Sequence, residues 1–395
     1  MVKKRFWQND VEAVKVIVLV FLILGTINVF SSSFILSEMV YHTPYFFLQR
    51  HAINLVIACI GFIFFYRTDY HVWHKWSRII VILAVVLLML VLFSGTVVNG
   101  SRRWIQFFGV QIQPAEIAKL ASIMLGASYL SGRLNRGQKI NISSGEMYVI
   151  LFMGFLVEME PDMGTMCIII GVPLVMLVIA GLNHKKMYAL LLGAIVGGIG
   201  LCLWQPYRLA RVKVMFDPWA DAQNYGYQTV QSLSAIGSGG FWGMGLGMGI
   251  SKYDYLPEAH TDFAFAIFSQ ENGFIGVLFA FFLFACLAFY SARIASKGKD
   301  SFGQMLATGV FILIIGQAVI NLAMVVGMGP VVGVPLPFIS YGGTSLLVNL
   351  SAIGILLNIG RQALLEKKKQ ALQGGEPAPT VRKLRLIRHN RQPQA

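Results

Sequence analysis

The stretch VIVLVFLILGTINVFSSSFIL, residues 16–36, contains no charged side chain. It is long enough to cross a bilayer as a helix, which takes about 20 apolar residues. The preceding residues, MVKKRFWQNDVEAVK, show no small-residue cleavage signature, so the run is interpreted as a first membrane helix and not as a removed signal peptide. This stretch predicts an integral membrane protein.

The composition of the whole chain agrees with that prediction. Of 395 residues, 56% are hydrophobic and 13% are charged, against roughly 25% charged residues in soluble domains. The net charge of +14 comes from short Lys and Arg clusters between apolar runs and at both ends of the chain. Membrane proteins distribute positive charge in this way, so we expect no nucleic-acid partner.

Nine further apolar runs follow the first. The ten runs are residues 16–36, 52–66, 79–93, 114–130, 147–159, 163–181, 187–204, 262–290, 305–326 and 345–359. They predict an all-α integral membrane protein with about ten transmembrane helices. Only the segment EPDMG separates the fifth run from the sixth, so nine spans are the alternative.

The basic residues predict the orientation of these spans. Alternate connections carry the Lys and Arg clusters, which places those connections and both termini in the cytoplasm. The longest connection, residues 205–261, is then an extracytoplasmic loop between spans seven and eight. We predict a cytoplasmic N-terminus over residues 1–15, a polytopic membrane domain over 16–364, and a basic, disordered cytoplasmic tail over 365–395.

Several polar side chains lie in the predicted external connections. Arg102 and Arg103 depart from the positive-inside pattern, and Arg208 and Arg211 form a second external group of cations. Such cations suit an anionic headgroup such as a pyrophosphate. Lys119 lies three residues after Glu116, so the two share a helix face and fit either an intrahelical ion pair or a headgroup site.

Three more polar positions follow. Asp162, in EPDMG, fits a helix cap as well as a functional carboxylate. Asn321 is an expected interhelical hydrogen bonder. The segment GMGPVVGVPLPFISYGGTS cannot form a continuous helix, because it contains three prolines and several glycines, and we interpret it as a re-entrant or capping loop.

Asp262 lies in the sequence HTDF, at the start of the eighth span. Two interpretations fit: a carboxylate in the first helical turn, with Thr261 as the cap, or a functional group at the outer end of the helix. Glu271 lies about 13 Å deeper on the same helix and on nearly the opposite face. We therefore expect Glu271 to be a buried polar support and not an acid/base partner of Asp262.

These segments, in this order, resemble the SEDS family (shape, elongation, division and sporulation) of bacterial membrane proteins. The motifs that carry the resemblance are NGSRRWIQ, IQPAEIAK, PDMGT, GYQTVQSL, AIGSGG, LPEAHTDF and PLPFISYGGTSLL. The segments IQPAE, DPWAD with GYQTVQS, and LPEAHTDF are more similar to the division subfamily FtsW than to the elongation subfamily RodA.

The resemblance implies a peptidoglycan glycosyltransferase that polymerises lipid II at the outer face of the bacterial cytoplasmic membrane, at the division septum. Asp262 would act as general base for the acceptor 4-hydroxyl, with undecaprenyl pyrophosphate leaving. Candidate pyrophosphate contacts are Arg102, Arg103, Lys119, Arg208 and Arg211, and supporting polar residues are Glu116, Asp162, Glu258, Glu271, Asn321 and Ser340. Because the departing pyrophosphate is negatively charged, a divalent cation, Mg or Mn, would also suit the reaction as a cofactor.

The implied partners are a class B penicillin-binding protein that supplies transpeptidation, other membrane proteins of the division machinery, and membrane lipid. Two other functions also suit these residues. A lipid II flippase would use the intramembrane Glu271 and the broken segments as a substrate path, and a division scaffold would use the polar residues for partner binding. The external position of the densest polar cluster favours the enzyme.

Overall fold

Helices dominate the computed structural model, which describes residues 9–98, 101–107, 110–253 and 256–372. The helices are α1 (Asp10–Tyr41), α2 (Phe46–Arg67), α3 (His71–Ser94), α4 (Pro114–Asn135), α5 (Gly145–Met159), α6 (Met163–Ile179), α7 (His184–Trp204), α8 (Pro206–Phe216), α9 (Tyr227–Ser238), α10 (Ala264–Ser296), α11 (Ser301–Val325) and α12 (Gly343–Leu372). Each predicted span coincides with one of them.

Seven of the described helices, α1, α2, α3, α7, α10, α11 and α12, are long and apolar enough to cross a membrane. The chain is therefore a multi-pass membrane protein. Helices α5 and α6 have 15 and 17 residues, less than a full span requires. The count of ten spans, and the orientation drawn from the basic residues, stay predictions.

The all-α prediction is wrong for the connection between α3 and α4. This connection contains strands β1 (Thr96–Val98), β2 (Ser101–Phe107) and β3 (Val110–Ile112), which form an antiparallel sheet in that order. Aromatic and β-branched residues in this short segment favour extended backbone. The sheet closes one end of the bundle, because the hydroxyl of Thr344 at the start of α12 donates to Gln111 and accepts from the Gln113 amide.

Two predicted regions contain regular structure. Residues 205–261, predicted as a long extracytoplasmic loop, contain α8, α9 and a 3-10 helix over Pro218–Asp221. The predicted tail boundary at residue 364 lies inside α12, which continues to Leu372 and is tied to the end of α10 by an ion pair of 2.7 Å between Lys299 and Glu366. The predicted disordered tail beyond Leu372 lies outside the described residues.

Helix α10 is interrupted at Gly273, which has φ 63° and ψ −166°. A break inside an apolar bundle frees backbone groups that need other partners. The glycine-rich segment before it supplies them: the amides of Met244 and Gly245 donate to the carbonyls of Gln270 and Glu271 at 3.0 and 3.1 Å. The amides of Phe274 and Ile275 donate back to the same segment.

Glycine is required on both sides of this contact. A Cβ on Gly273 would collide with the backbone of Gly243, and a Cβ on Gly243, at φ 84°, would collide with the backbone of α10. The glycines on both sides therefore allow the segment before α10 to lie directly against the broken helix.

A buried ion pair between two side chains also stabilises the contact between α10 and the segment before it. The ammonium of Lys252 lies 2.8 Å from Glu271 Oε1, and both side chains are almost inaccessible to solvent. Ser31 of α1 donates to the two Glu271 carboxylate oxygens at 2.6 and 2.8 Å. Glu271 is thus buried, as predicted, and its carboxylate connects α1, α10 and the segment before α10.

We expect Lys252→Met to destabilise the protein strongly, because it leaves the Glu271 carboxylate buried without its cation. Removing one partner of a buried pair costs about 3–5 kcal/mol. The double variant Lys252→Met/Glu271→Leu removes both charges and should recover most of the loss. Thermal unfolding of the purified variants in detergent measures both effects. Equal losses in the single and double variants would show that the charges are not coupled.

Candidate functional site

A cavity of about 850 Å³ opens at the end of the bundle where α4, α6 and α10 begin. Its walls come from the start of α2, the small sheet, the turn before α6, α8, the turn before α10 and the irregular segment before α12. Polar lining residues are Arg50, Asn54, Ser101, Arg103, Gln111, Gln113, Asp162, Tyr207, Arg208, Arg211, Gln228, Glu258, His260, Thr261, Asp262, Tyr341 and Ser345.

Asp262 lies in the turn that precedes α10 and not in its first helical turn. The helix begins at Ala264, and Thr261 does not cap it, since its hydroxyl donates to Glu258 Oε2 at 2.7 Å. The helix-cap interpretation of Asp262 and Thr261 is therefore wrong. The Asp262 side chain is partly exposed, and the surface it retains lines the cavity.

The surroundings raise the pKa of the Asp262 carboxyl to about 7. Burial contributes most, because it penalises the charged form, and the carboxylates of Glu258 and Asp162 raise the pKa further. The guanidinium groups of Arg103 and Arg211 lower it. The group can thus exchange a proton near neutral pH, as a general base or acid requires.

Asn321 of α11 holds the backbone of Asp262 in place. Its amide nitrogen donates to the Asp262 carbonyl at 2.8 Å and to the Val334 carbonyl at 2.7 Å, and the side chain is completely buried. Asn321 was expected to bond between helices, whereas its partners are these two loops. The cavity wall opposite the carboxylate is Gly333, at φ 66°, where a Cβ would lie 3.5 Å from Asp262 Oδ2.

The segment from residue 329 to 342 is irregular, as predicted, and it is packed inside the protein. Val334, Leu336, Phe338 and Ile339 are buried. Ser340 accepts a hydrogen bond from the Leu336 amide at 2.9 Å and so closes a turn within the segment. The segment therefore forms a fixed wall of the cavity and not an exposed loop.

Three of the predicted cations line the cavity, each held by the protein. Arg103 donates from Nε to the Glu160 carbonyl at 2.9 Å and also contacts the Pro161 carbonyl. Arg211 donates to the Val331 carbonyl at 2.8 Å. Arg208 lies 2.5 Å from the Glu158 carboxylate, which offsets its charge.

The other two predicted cations are elsewhere. The guanidinium of Arg102 points to the end of α3, where it lies 3.5 Å from the carbonyl oxygens of Leu92 and Phe93. It does not line the cavity. Lys119 is buried, 2.7 Å from Glu116 and 3.0 Å from Gln317 of α11. The ion pair within α4 is thus the correct interpretation of Glu116 and Lys119.

Asp162 caps a helix, as one of its two interpretations predicted, and it also lies in the cavity wall. Oδ1 accepts from the Thr165 amide at 3.0 Å and caps α6, while Oδ2 accepts from Gln113 at 3.2 Å and the side chain lines the cavity. Beside it, burial and the Asp162 charge raise the pKa of Glu160 to about 8, although Arg103 lowers it. Glu160 therefore adds little negative charge near the arginines at neutral pH.

The sequence did not single out Gln113, Gln317 or Glu158. Gln317 bonds Lys119 and donates to the Pro335 carbonyl at 2.9 Å, which connects α4 to the irregular segment. A Gln within an apolar run is the signal that could have identified it. Glu158 carries no such signal for its pairing with Arg208, because that contact joins distant parts of the chain.

The part of the chain that the structure describes offers no evident protein site for a divalent cation. Among the residues that the structure describes, no group of three or more His, Cys, Asp or Glu side chains could hold a metal ion. The cavity carboxylates Asp162, Glu258 and Asp262 thus do not form a ligand set.

Comparison with known proteins gives consistent matches over most of the chain. The profile of the FtsW/RodA/SpoVE family, described as "Cell cycle protein", matches residues 12–364. Stage V sporulation protein E of Bacillus subtilis is 39% identical over 88% of this chain and 95% of the relative. A probable peptidoglycan glycosyltransferase FtsW of Geobacter sp. is 37% identical over 88% of this chain and 97% of the relative.

The fold has a solved counterpart. A chain from a structure titled "Structural coordination of polymerization and crosslinking by a peptidoglycan synthase complex" superimposes with a TM-score of 0.72 at 24% identity, covering 89% of this chain and 97% of that chain. The family profile, the relatives and the fold agree with the resemblance carried by the motifs: the chain belongs to the FtsW/RodA/SpoVE family of SEDS glycosyltransferases.

Proposed function

We propose that this protein polymerises lipid II into glycan strands on the outer face of the bacterial cytoplasmic membrane, during synthesis of the division septum. One observation carries the proposal: Asp262, a carboxyl with a pKa of about 7, lines a cavity that is also lined by four arginines. The relatives named peptidoglycan glycosyltransferase FtsW support the reaction and the septal setting.

The proposed step is a single displacement. The Asp262 carboxylate takes the proton of the acceptor 4-hydroxyl as the oxygen attacks the anomeric carbon of the donor. The bond from that carbon to the pyrophosphate oxygen breaks, and its electron pair leaves with undecaprenyl pyrophosphate. The α-linked donor yields a β-linked product by one inversion, so a covalent carboxylate intermediate is not required.

Arg103 and Arg211 suit the leaving pyrophosphate best. Each is held by a backbone carbonyl, and an Arg has five N–H donors, so each retains donors and its full charge for the growing negative charge. Arg208 is already paired with Glu158. It serves to hold α8 against α5 and so positions Arg211 one helical turn away.

The position of the polar residues favours polymerisation over transport. A transporter places its substrate site near the middle of the membrane. Here the cavity with Asp262 lies at one end of the bundle, and the deeper Glu271 is bound by Lys252 and Ser31. Glu271 is therefore not free to bind a passing headgroup.

We also propose a class B penicillin-binding protein as the transpeptidase partner. The similar fold in a peptidoglycan synthase complex, whose title joins polymerization with crosslinking, supports such an assembly. Other division proteins of the membrane and lipid II itself complete the proposed partners.

Asp262→Asn is expected to lower polymerisation by about 10²–10⁴-fold, the usual contribution of a general base, because an amide cannot accept the hydroxyl proton. The measurement uses purified protein with its transpeptidase partner and labelled lipid II. Asp217→Asn is the matched control, since this exposed Asp lies in the segment before α10, and Asn replaces it equally well as the helix cap of residues 218–221.

Full activity of Asp262→Asn would exclude Asp262 as base. No polymer from the wild-type protein would contradict the enzymatic function itself. Thermal unfolding of the variants identifies misfolding, and Asp262→Asn should be as stable as the wild type because it removes a charge that burial disfavours.

Polymerisation should rise with pH up to about 7 and then level off, because a base acts only when deprotonated and the pKa of Asp262 is about 7. The pH dependence of kcat/KM measures this limb. Arg211→Gln should move the limb to higher pH, since Arg211 lowers the pKa of Asp262. A limb near the ordinary carboxyl value of 3.8 would contradict the assignment.

A further inference from the structure

A second cavity, of about 600 Å³, lies at the opposite end of the bundle from Asp262. It opens between the first turns of α3 and the last turns of α4. Helix α4 is about 33 Å long at 1.5 Å per residue, and Gln113, directly before its first residue, lines the Asp262 cavity. The lining side chains include Lys75, Arg78, Arg133 and Arg136, and Glu146 is the only acid among the described residues of the lining. The cavity is therefore strongly cationic.

These four cations differ from others at the same end. Arg293 and Lys297 both pair with Asp10, and Lys299 pairs with Glu366. Within the described ranges, by contrast, the structure contains no ion pair of Lys75, Arg78, Arg133 or Arg136. Four cations without an ion pair, facing a cavity with the single acid Glu146 among its described lining residues, repel each other unless a further anion joins them.

The cavity is shaped by the protein and not only by flexible side chains. Arg133 lies over the ring of Tyr129, 5.5 Å from its centre, and Ser128 contacts His74 at 2.9 Å. Gly132 contributes no side chain, and a Cβ there would meet open space. The two helices thus leave a preformed space with hydroxyl, imidazole and guanidinium groups on its walls.

The surroundings indicate that the anion belongs to the membrane. Trp76, next to the lining residues of α3, is exposed, and so are Ile79 and Ile82 one turn further along. A Trp at the end of an apolar helix face lies at the level of lipid headgroups.

We propose that this cavity binds a phosphate group presented at the inner membrane surface, and that its source is the headgroup of an anionic phospholipid. Basic pockets between membrane helices on the cytoplasmic side suit such headgroups. The proposal rests on the proposed orientation of the chain but not on glycosyl transfer, so it can fail or succeed independently of the polymerase function.

The test measures binding of short-chain phosphatidylglycerol to the purified full-length protein in detergent, with phosphatidylcholine and inorganic phosphate as comparison probes. We expect phosphatidylglycerol to bind more tightly than phosphatidylcholine and to weaken at high salt. Arg78→Gln/Arg133→Gln should weaken it by about 10- to 30-fold, since each cation near anionic lipid contributes about 1 kcal/mol. Gly132→Leu should weaken it by filling the cavity, without a clash in the protein.

The matched control is Lys139→Gln. Lys139 is an exposed cation in the connection between α4 and α5, and it does not line the cavity. It should leave binding unchanged. Inorganic phosphate that binds as tightly as the lipid would support the site and assign it a soluble phosphate source. Equal binding of phosphatidylglycerol and phosphatidylcholine, or equal binding by wild type and both cavity variants, would overturn the proposal.

Discussion

A backbone amide or carbonyl inside an apolar bundle must have a hydrogen-bond partner, and much of this structure follows from that constraint. Helix α10 cannot break at Gly273 unless other groups replace its lost bonds. The glycine-rich segment before the helix provides those groups from its own backbone. The break also determines the direction of the part of α10 before Gly273. The turn that carries Asp262 lies directly before that part.

Buried charged side chains in the bundle need partners as well. Lys252 is paired with Glu271, and Lys119 is paired with Glu116 and bonded to Gln317. Each of these groups connects elements that are distant in sequence. Asp262 differs, because no cation of the described residues lies within ion-pair distance of it and burial raises its pKa, although Arg103 and Arg211 lower it in part. A carboxyl without an ion pair at the wall of a cavity is suited to chemistry more than to stability.

The sequence predicted what depends on local pattern. Apolar runs located all the long helices, the spacing of Glu116 and Lys119 indicated their shared face, and the prolines before α12 predicted an irregular segment. It did not predict the sheet of residues 96–112, because that segment is short and lies between spans. Nor could it predict which distant group each polar residue contacts, such as Glu158 for Arg208 or Ser31 for Glu271.

The side chain of Asn321 binds two loops at once, since its amide nitrogen donates both to the Asp262 carbonyl and to the Val334 carbonyl. The two loops form opposite walls of the cavity, and Gly333 faces the Asp262 carboxylate between them. The spacing between the Asp262 turn and the segment that contains Gly333 is therefore set by the reach of one amide group.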